Sequence, residues 1–290
     1  ISQGTLRGEL FCVGGMDPMF DHTDIRLMVQ ALRNKGIHNY RGRIVTDCSM
    51  KDSEKWGEGW CWDDKCPVLS PLLVDGKPNF GERMNNELHS QRLTTTGISV
   101  VTGKVPLDAT LVCTRSHTLS QVLQKMMKES DNLYAESTYY QVAASTGHRP
   151  ATARDAQAVE QSLLEKIGLD VTRYNLADGS GLSLYNYITV EAQVMLLRYA
   201  WTHPQICSQL LSSLPIAGVD GTLKSRMKDT AAQGNVKAKT GSVTGISSLA
   251  GYLTAPNGHY LCFSIINQGV RRMAEGRSFQ DKVCVALCQP

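Results

Sequence analysis

Two short stretches carry side chains that can do chemistry together. The first is Ser130-Asp131-Asn132. A serine hydroxyl relays a proton, and an asparagine amide both donates to and accepts from a peptide group. The second is Lys239-Thr240-Gly241-Ser242. It offers an ammonium, a hydroxyl and a glycine that lets backbone come close. That set suits binding a carboxylate and presenting an amide N–H to a developing oxyanion. Each stretch is weak alone. Ser-Asp-Asn is also ordinary turn and cap chemistry, and Lys239 also reads as a solvated strand lysine. Order and placement add weight, because the first stretch falls between two helical runs and the second on a strand.

The elements that must position them follow from periodicity. Leu119, Val122, Leu123, Met126 and Met127 fall at i, i+3, i+4, i+7 and i+8, which predicts an amphipathic helix ending at Ser130-Asp131-Asn132. A second helical run carries Leu133, Ala135, Tyr139, Val142 and Ala143, and a third spans Ala156 to Ile167, stopped by Gly168. Ala177-Asp178-Gly179-Ser180-Gly181-Leu182-Ser183 reads as a turn-rich loop, with helices over Thr189–Ala200 and Pro204–Leu211 behind it. Gly234–Ala238 reads as a strand closed by Lys239–Ser242, Val243–Leu253 as a second, and Tyr260–Ile266 as a third. Asn257-Gly258 between apolar runs is a hairpin signal, so the lysine stretch belongs to an antiparallel meander.

Upstream, Gly8–Gly15 and Arg43–Cys48 read as strands around a helix from Asp21 to Gly36, a small α/β module. Pro67–Arg92 is loop-rich, and Ile98–Thr102 and Ala109–Cys113 read as further strands. Three of the four tryptophans lie in Trp56–Asp64. An aromatic cluster anchoring an irregular loop accounts for them, with an aromatic wall beside a site as the other reading.

With 290 residues the chain has room for one large or two modest domains. A net charge of +3, from 30 basic and 27 acidic residues, is too even for a nucleic-acid or membrane surface. No run is long enough to cross a bilayer. The opening Ile1-Ser2-Gln3-Gly4, without Met, reads as a processed or clipped piece. The nine cysteines lack zinc-site spacing; Cys61 and Cys66 have no second close pair, and Cys284 and Cys288 stand at the end. They read as small buried residues, with room for one or two disulfides in an oxidising compartment. Neither a metal site nor a cofactor site is expected, and the spacing does not support a zinc or thiol hydrolase.

Longer signatures then occur in one order: Gly14-Gly15-Met16-Asp17-Pro18, Gly42–Asp47, Gly59–Asp64, Lys128–Asn132, Asp178–Ser183, Leu214–Leu223 and Lys237–Gly241. On these the chain resembles, over nearly its whole length, the class C low-molecular-mass penicillin-binding proteins. These are D-alanyl-D-alanine carboxypeptidase/endopeptidases of the penicillin-binding-protein-four type. The resemblance implies an α/β (α+β) chain. Residues 1–112 would be a reduced α/β accessory domain, with the tail end of an N-terminal catalytic part. Residues 113–290 would be a penicillin-binding transpeptidase/β-lactamase-like domain with an antiparallel sheet and helices. It implies cleavage of D-Ala–D-Ala bonds or D-amino-acid cross-links in peptidoglycan, through an acyl-serine, in the periplasm or another extracytoplasmic space. Its partners would be stem peptides ending in D-Ala-D-Ala, and β-lactams.

By the same resemblance Ser130 shuttles a proton to the leaving amine, Asn132 holds the substrate amide, and Lys239 and Thr240 grip the terminal carboxylate. Gly241 and the backbone N–H of Ser242 complete the substrate edge, and Asp178 and Ser180 line the site's rim. The family's nucleophile is the serine of a Ser-x-x-Lys upstream of the accessory domain, and nothing before Ser130 fits it. The chain's one Ser-x-x-Lys, Ser225-Arg226-Met227-Lys228, lies in Val219–Lys228, which reads as a turn followed by a short polar, water-facing helix. The 290 residues alone are therefore expected to form no acyl-enzyme, β-lactam acylation included. A non-catalytic relative that binds peptidoglycan peptides is the alternative.

Overall fold

The computed structural model describes residues 2–63, 65–94 and 98–290; Ile1 and Asp64, both named above, lie outside the described residues. Two compact units result. One comprises Ile1–Gly57, Trp62–Thr118 and Glu136–Gln157; the other comprises Glu58–Cys61, Leu119–Ala135 and Ala158–Pro290.

In the first unit β1 (Thr5–Val13), β2 (Asn39–Asp47) and β3 (Val100–Thr102) form a parallel sheet in that order. Parallel neighbours need crossovers, and α1 (His22–Asn34) and α2 (Phe80–Ser90) supply them. Asp21 caps α1: its carboxylate accepts from the Thr23 and Asp24 amides at 2.6 and 3.1 Å, and Asp24 returns the bond to the Asp21 amide at 3.1 Å. Ile25, Val29 and Leu32 turn one face of α1 into the core. Residues expected to be loop-rich thus contain a helix, α2, which buries Phe80, Met84 and Leu88 at i, i+4 and i+8. The strand expected over Ala109–Cys113 is irregular chain instead. Its continuation is tied down by side chains, with Arg115 donating to Asp24 at 2.8 and 3.0 Å and the His117 amide to Asp17 at 2.9 Å.

In the second unit α3 (Leu119–Lys125) widens into a π-helical turn over Met126–Ser130. The boundary between units passes through α4 (Asn132–Ser145) and α5 (Ala153–Lys166). After α6 (Val190–Trp201) and α7 (Pro204–Ser213) come β4 (Lys237–Val243), β5 (Ile246–Thr254) and β6 (Tyr260–Gln268), antiparallel in that order. The meander is as expected, but β4 starts at Lys237, because Asn235 and Val236 turn back on the Ala232 carbonyl at 3.1 and 3.0 Å. A last helix, α8 (Met273–Cys288), packs on β5 and closes a core of Ala217, Leu223, Val236, Ala238, Leu249, Leu253, Phe263, Cys284 and Cys288.

Candidate active site along β4

Ser130 closes the π-helical turn with a left-handed backbone, φ 58°, a conformation that costs a non-glycine residue about 1 kcal/mol. Its neighbours hold it there. The Asp131 amide donates to the Met126 carbonyl at 3.2 Å, and the Asp131 carboxylate accepts from the Leu133 and Tyr134 amides at 3.0 and 3.4 Å. Asp131 is thus the cap of α4, and that leaves Ser130 projecting and Asn132 at the helix start. The Asn132 amide is half-buried, with no hydrogen-bond partner among the described residues.

Lys239 meets this turn from β4. Its ammonium donates to Ser130 Oγ at 2.7 Å and to the Thr240 carbonyl at 2.7 Å. No carboxylate among the described residues lies within ion-pair distance of it. Burial alone therefore acts on the group and lowers its pKa from the ordinary lysine range to about 8. A half-buried cation without a counter-ion is a place for an anion.

The open side of β4 follows from strand alternation. The Ala217 amide donates to Val236 O at 2.9 Å and the Ala238 amide to Pro215 O at 3.0 Å, so even-numbered residues face away from β5. Main-chain N–H and C=O repeat every second residue, which carries the amides of Thr240 and Ser242 to the same unpaired edge. Gly241 stands opposite Ser248 on β5, and a Cβ there would come to 2.3 Å of Ser248 Oγ. Thr240 Oγ1 donates to Thr222 Oγ1 at 2.9 Å.

Asp178 is buried, and its carboxylate gathers its own loop. It accepts from Gly181 N at 2.8 Å, Ser183 N at 2.7 Å, Ser180 Oγ at 3.3 Å, Asn186 Nδ2 at 2.7 Å and Trp60 Nε1 at 2.7 Å. Trp60 is therefore the one tryptophan of its stretch that anchors a loop, while Trp56 is 54% and Trp62 96% exposed, contrary to a packed aromatic cluster. Gly59 fits beneath the same loop at φ 77°, and a Cβ would meet Ser183 Oγ at 2.5 Å.

Ser225-Arg226-Met227-Lys228 is a run of turns and bends that follows the 3-10 turn Gly221–Leu223, rather than a helix. Its inward residues are the middle two. Met227 is in the core, and Arg226 donates to Asp281 at 2.9 and 2.7 Å and to Gln280 at 3.1 Å on α8. Ser225 and Lys228 are exposed. The segment is an anchor for α8. Arg226→Ala should cost about 2 kcal/mol through these charge-assisted bonds, read as a Tm lowered by about 5 °C. An unchanged melting curve would contradict the anchor.

No disulfide joins Cys12, Cys48, Cys113, Cys207, Cys262, Cys284 or Cys288. Burial pushes the Cys12 and Cys284 thiols up to about 12, where a thiol is not a nucleophile at neutral pH. Sequence reasoning assigned no role to Lys128, Asp220 or Thr222, which surround the site. The first opens the Lys128–Asn132 signature two residues before Ser130, and the other two sit in the Leu214–Leu223 signature, so order in the chain was their only signal.

Comparison with known proteins gives the site its context. A family model described as D-Ala-D-Ala carboxypeptidase 3 (S13) matches residues 1–72 and 70–289. The chain is 36% identical to the D-alanyl-D-alanine carboxypeptidase of an Actinomadura species, over 78% of this chain and 43% of that protein. It is 39% identical to carboxypeptidase DacB of Mycolicibacterium smegmatis, over 90% of this chain and 60% of that one. It therefore spans about half the length of these two relatives. The crystal structure of penicillin binding protein 4 (dacB) from Haemophilus influenzae has the same fold, with a TM-score of 0.86 at 23% identity over 98% of this chain and 84% of that chain. That fold is mixed α/β, of the penicillin-binding, β-lactamase-like kind. Matched by the family model over nearly its full length, the chain belongs to the D-Ala-D-Ala carboxypeptidase 3 (S13) family.

Proposed function

We propose that the edge of β4 and the Ser130 turn form the substrate-holding side of a serine-type D-Ala-D-Ala carboxypeptidase or DD-endopeptidase site. The substrates are peptidoglycan stem peptides ending in D-Ala-D-Ala, and β-lactams enter as their mimics. The reading rests on one observation: an ammonium with no counter-ion among the described residues, Lys239, bonded to the hydroxyl of Ser130. Lys239 and Thr240 hold the substrate's terminal carboxylate. Asn132 holds a substrate amide with the donor and acceptor it has free. The Ser242 N–H faces the carbonyl oxygen as it gains charge in an acyl-transfer transition state. Gly241 keeps that edge free of a side chain. Ser130 passes a proton to the leaving amine, and its contact with Lys239 favours the hydroxyl lending its own hydrogen outward. Asp178 and Ser180 shape the rim through their loop. Residues 1–112 serve as the accessory α/β domain and 113–290 as the catalytic one. Such peptides place the chain outside the cytoplasm; no described helix is long and apolar enough to cross a membrane.

A second reading, peptide binding without turnover by these 290 residues, is favoured by the exposure of Ser225 and Lys228. An acylated serine needs a desolvated base beside it, and Lys228 has no such setting. Incubation with benzylpenicillin is expected to leave the intact mass unchanged in the wild type and in Ser225→Ala alike. An adduct mapped to Ser225 would make Ser225 the nucleophile and overturn this placement.

The binding site itself is tested by titrating the chain with a diacetyl-lysyl-D-Ala-D-Ala peptide and with the same peptide amidated at its C-terminus, by calorimetry or NMR. The acid should bind and the amide should bind at least tenfold more weakly, since a charge-assisted contact is worth about 1.5–3 kcal/mol. Equal affinity for acid and amide would refute a carboxylate site at Lys239.

A further inference from the structure

Between α7 and β4 runs the segment Leu214–Leu223, to which the reading above gives no task. It touches both halves of the site. On one side Lys128, two residues before Ser130, reaches into it. The Lys128 ammonium donates to both oxygens of Asp220 at 2.8 and 2.7 Å and to the Leu214 carbonyl at 2.6 Å. Asp220 Oδ1 also accepts from the Ile216 amide at 2.8 Å, so the carboxylate closes its own loop while it holds the lysine. On the other side the segment is bound to β4 by an antiparallel bridge between Ile216 and Lys237, and Thr222 accepts from Thr240 at 2.9 Å. Gly221 lies between these two grips. Its φ is 56°, and a Cβ would stand 2.8 Å from the Lys128 carbonyl and 3.0 Å from Pro215 Cβ. Backbone therefore rests on backbone at that point, where a side chain has no room.

We propose that Asp220-Gly221-Thr222 is a positioning element that sets the Ser130 turn against the Lys-Thr-Gly strand. It rests on the proposed carboxylate site for the task of Thr222, but not for that of Asp220. Two distinct tasks follow from the contacts. Asp220 and Gly221 clamp Lys128 and with it the left-handed backbone of Ser130, which keeps Ser130 Oγ within reach of Lys239. Thr222 sets the Thr240 hydroxyl. In the free site Thr240 spends its hydrogen on Thr222, whose own hydrogen has no acceptor among the described residues. Hydroxyl hydrogens rotate to suit their partners. When a carboxylate arrives, Thr240 turns its hydrogen to it and Thr222 donates to Thr240 Oγ1 in return. The pair thereby becomes a donor chain that ends on the anion.

The two tasks are read separately on the full chain. Asp220→Asn keeps an acceptor for the Ile216 amide but gives up the charge that holds Lys128. In this variant the titration of Lys239, followed by NMR of its 13C-labelled ε-methylene, should move up from about 8 toward the ordinary lysine value as water reaches the loosened turn. That arm needs no substrate and so stands even if the carboxylate reading fails. Thr222→Val should weaken the D-Ala-D-Ala acid peptide about tenfold, the worth of one charge-assisted hydrogen bond, and leave the amide peptide unaffected. Thr222→Ser should restore the acid. A merely structural Thr222 would change both peptides together and would not distinguish serine from valine. An unmoved Lys239 titration in Asp220→Asn overturns the clamp, and acid binding by Thr222→Val equal to wild type overturns the donor chain. A wild type that fails to prefer acid over amide instead refutes the carboxylate reading and with it the task given to Thr222.

Discussion

Replacing Lys239 by alanine is expected to abolish measurable binding of the D-Ala-D-Ala acid peptide. Removing one partner of a partly buried charge pair costs about 2–5 kcal/mol, a loss of roughly 30-fold to several thousandfold. Lys239→Arg should keep part of the affinity, because the charge survives while a planar fork replaces a point donor. The pH dependence separates these two variants from wild type. Burial holds the Lys239 ammonium near 8, so acid-peptide affinity in wild type should be level below that pH and fall tenfold per unit above it. Arginine stays charged, and Lys239→Arg should lack the alkaline limb. The same shift acts on stability with a definite sign. Below about 8 the lysine is protonated folded and unfolded, and the fold bears the full cost of a desolvated charge. From about 8 to about 10.4, the ordinary lysine value, the unfolded chain holds a proton that the folded one has released, so this group makes the fold more stable as pH rises. Lys239→Met should therefore raise Tm at pH 7 while it destroys binding. An affinity unchanged in Lys239→Ala would leave the residue a bystander.

Gly251→Ala is expected to act just as strongly from the opposite side of the sheet. Gly251 on β5 pairs with Ala238 on β4. A Cβ added there would sit 2.1 Å from the Lys237 carbonyl oxygen, 2.6 Å from Ala238 Cα and 2.8 Å from Ala238 Cβ. None of these atoms is the end of a flexible side chain, so the strand itself must move. Overpacking of this kind costs about 3 kcal/mol, read as a Tm lowered by about 6–12 °C. Because β4 carries Lys239 two residues beyond Lys237, the displacement should also weaken acid-peptide binding at temperatures where the protein remains folded. Retained stability and affinity in Gly251→Ala would show that the two strands have slack, and the close approach would lose its meaning. Gly251→Ser should be at least as harmful.

Much of this molecule was legible in the residues. The helices around Ser130 and the β4–β6 meander announce themselves by period and by the Asn257-Gly258 turn, and the meeting of Ser130 with Lys239 follows from their family order. What escaped has physical causes. The inner face of α8 is Gly276, Gln280, Cys284 and Cys288, a helical spacing written in residues that carry little hydrophobic signal. Gln280 can be buried there because its amide has partners in Ser247 and Asn267 at 3.1 and 3.0 Å and in Arg226. Phe279, by contrast, is 53% exposed, so the apolar pattern points the wrong way. The inner face of α2 is marked by only three large apolar side chains among polar ones. Ala109–Cys113 has the composition of a strand but no strand beside it to pair with. Asp178 and Trp60 are 118 residues apart in the chain, and no local pattern joins them. Lys128, Asp220 and Thr222 act through tertiary neighbours in the same way.

The outer edge of β4 has a further consequence, for solubility. Unpaired strand edges template association with other chains. Here the Leu214–Leu223 segment covers the edge at residues 236–238 and the Lys239 ammonium takes the Thr240 carbonyl, so among the described residues the Thr240 N–H and the outward groups of Ser242 are what stays open. Two outward residues are too few to seed a stacked strand from another molecule, yet they match the reach of a dipeptide. The protein can thus keep an open strand edge beside Lys239 without the tendency to polymerise that a longer one would bring.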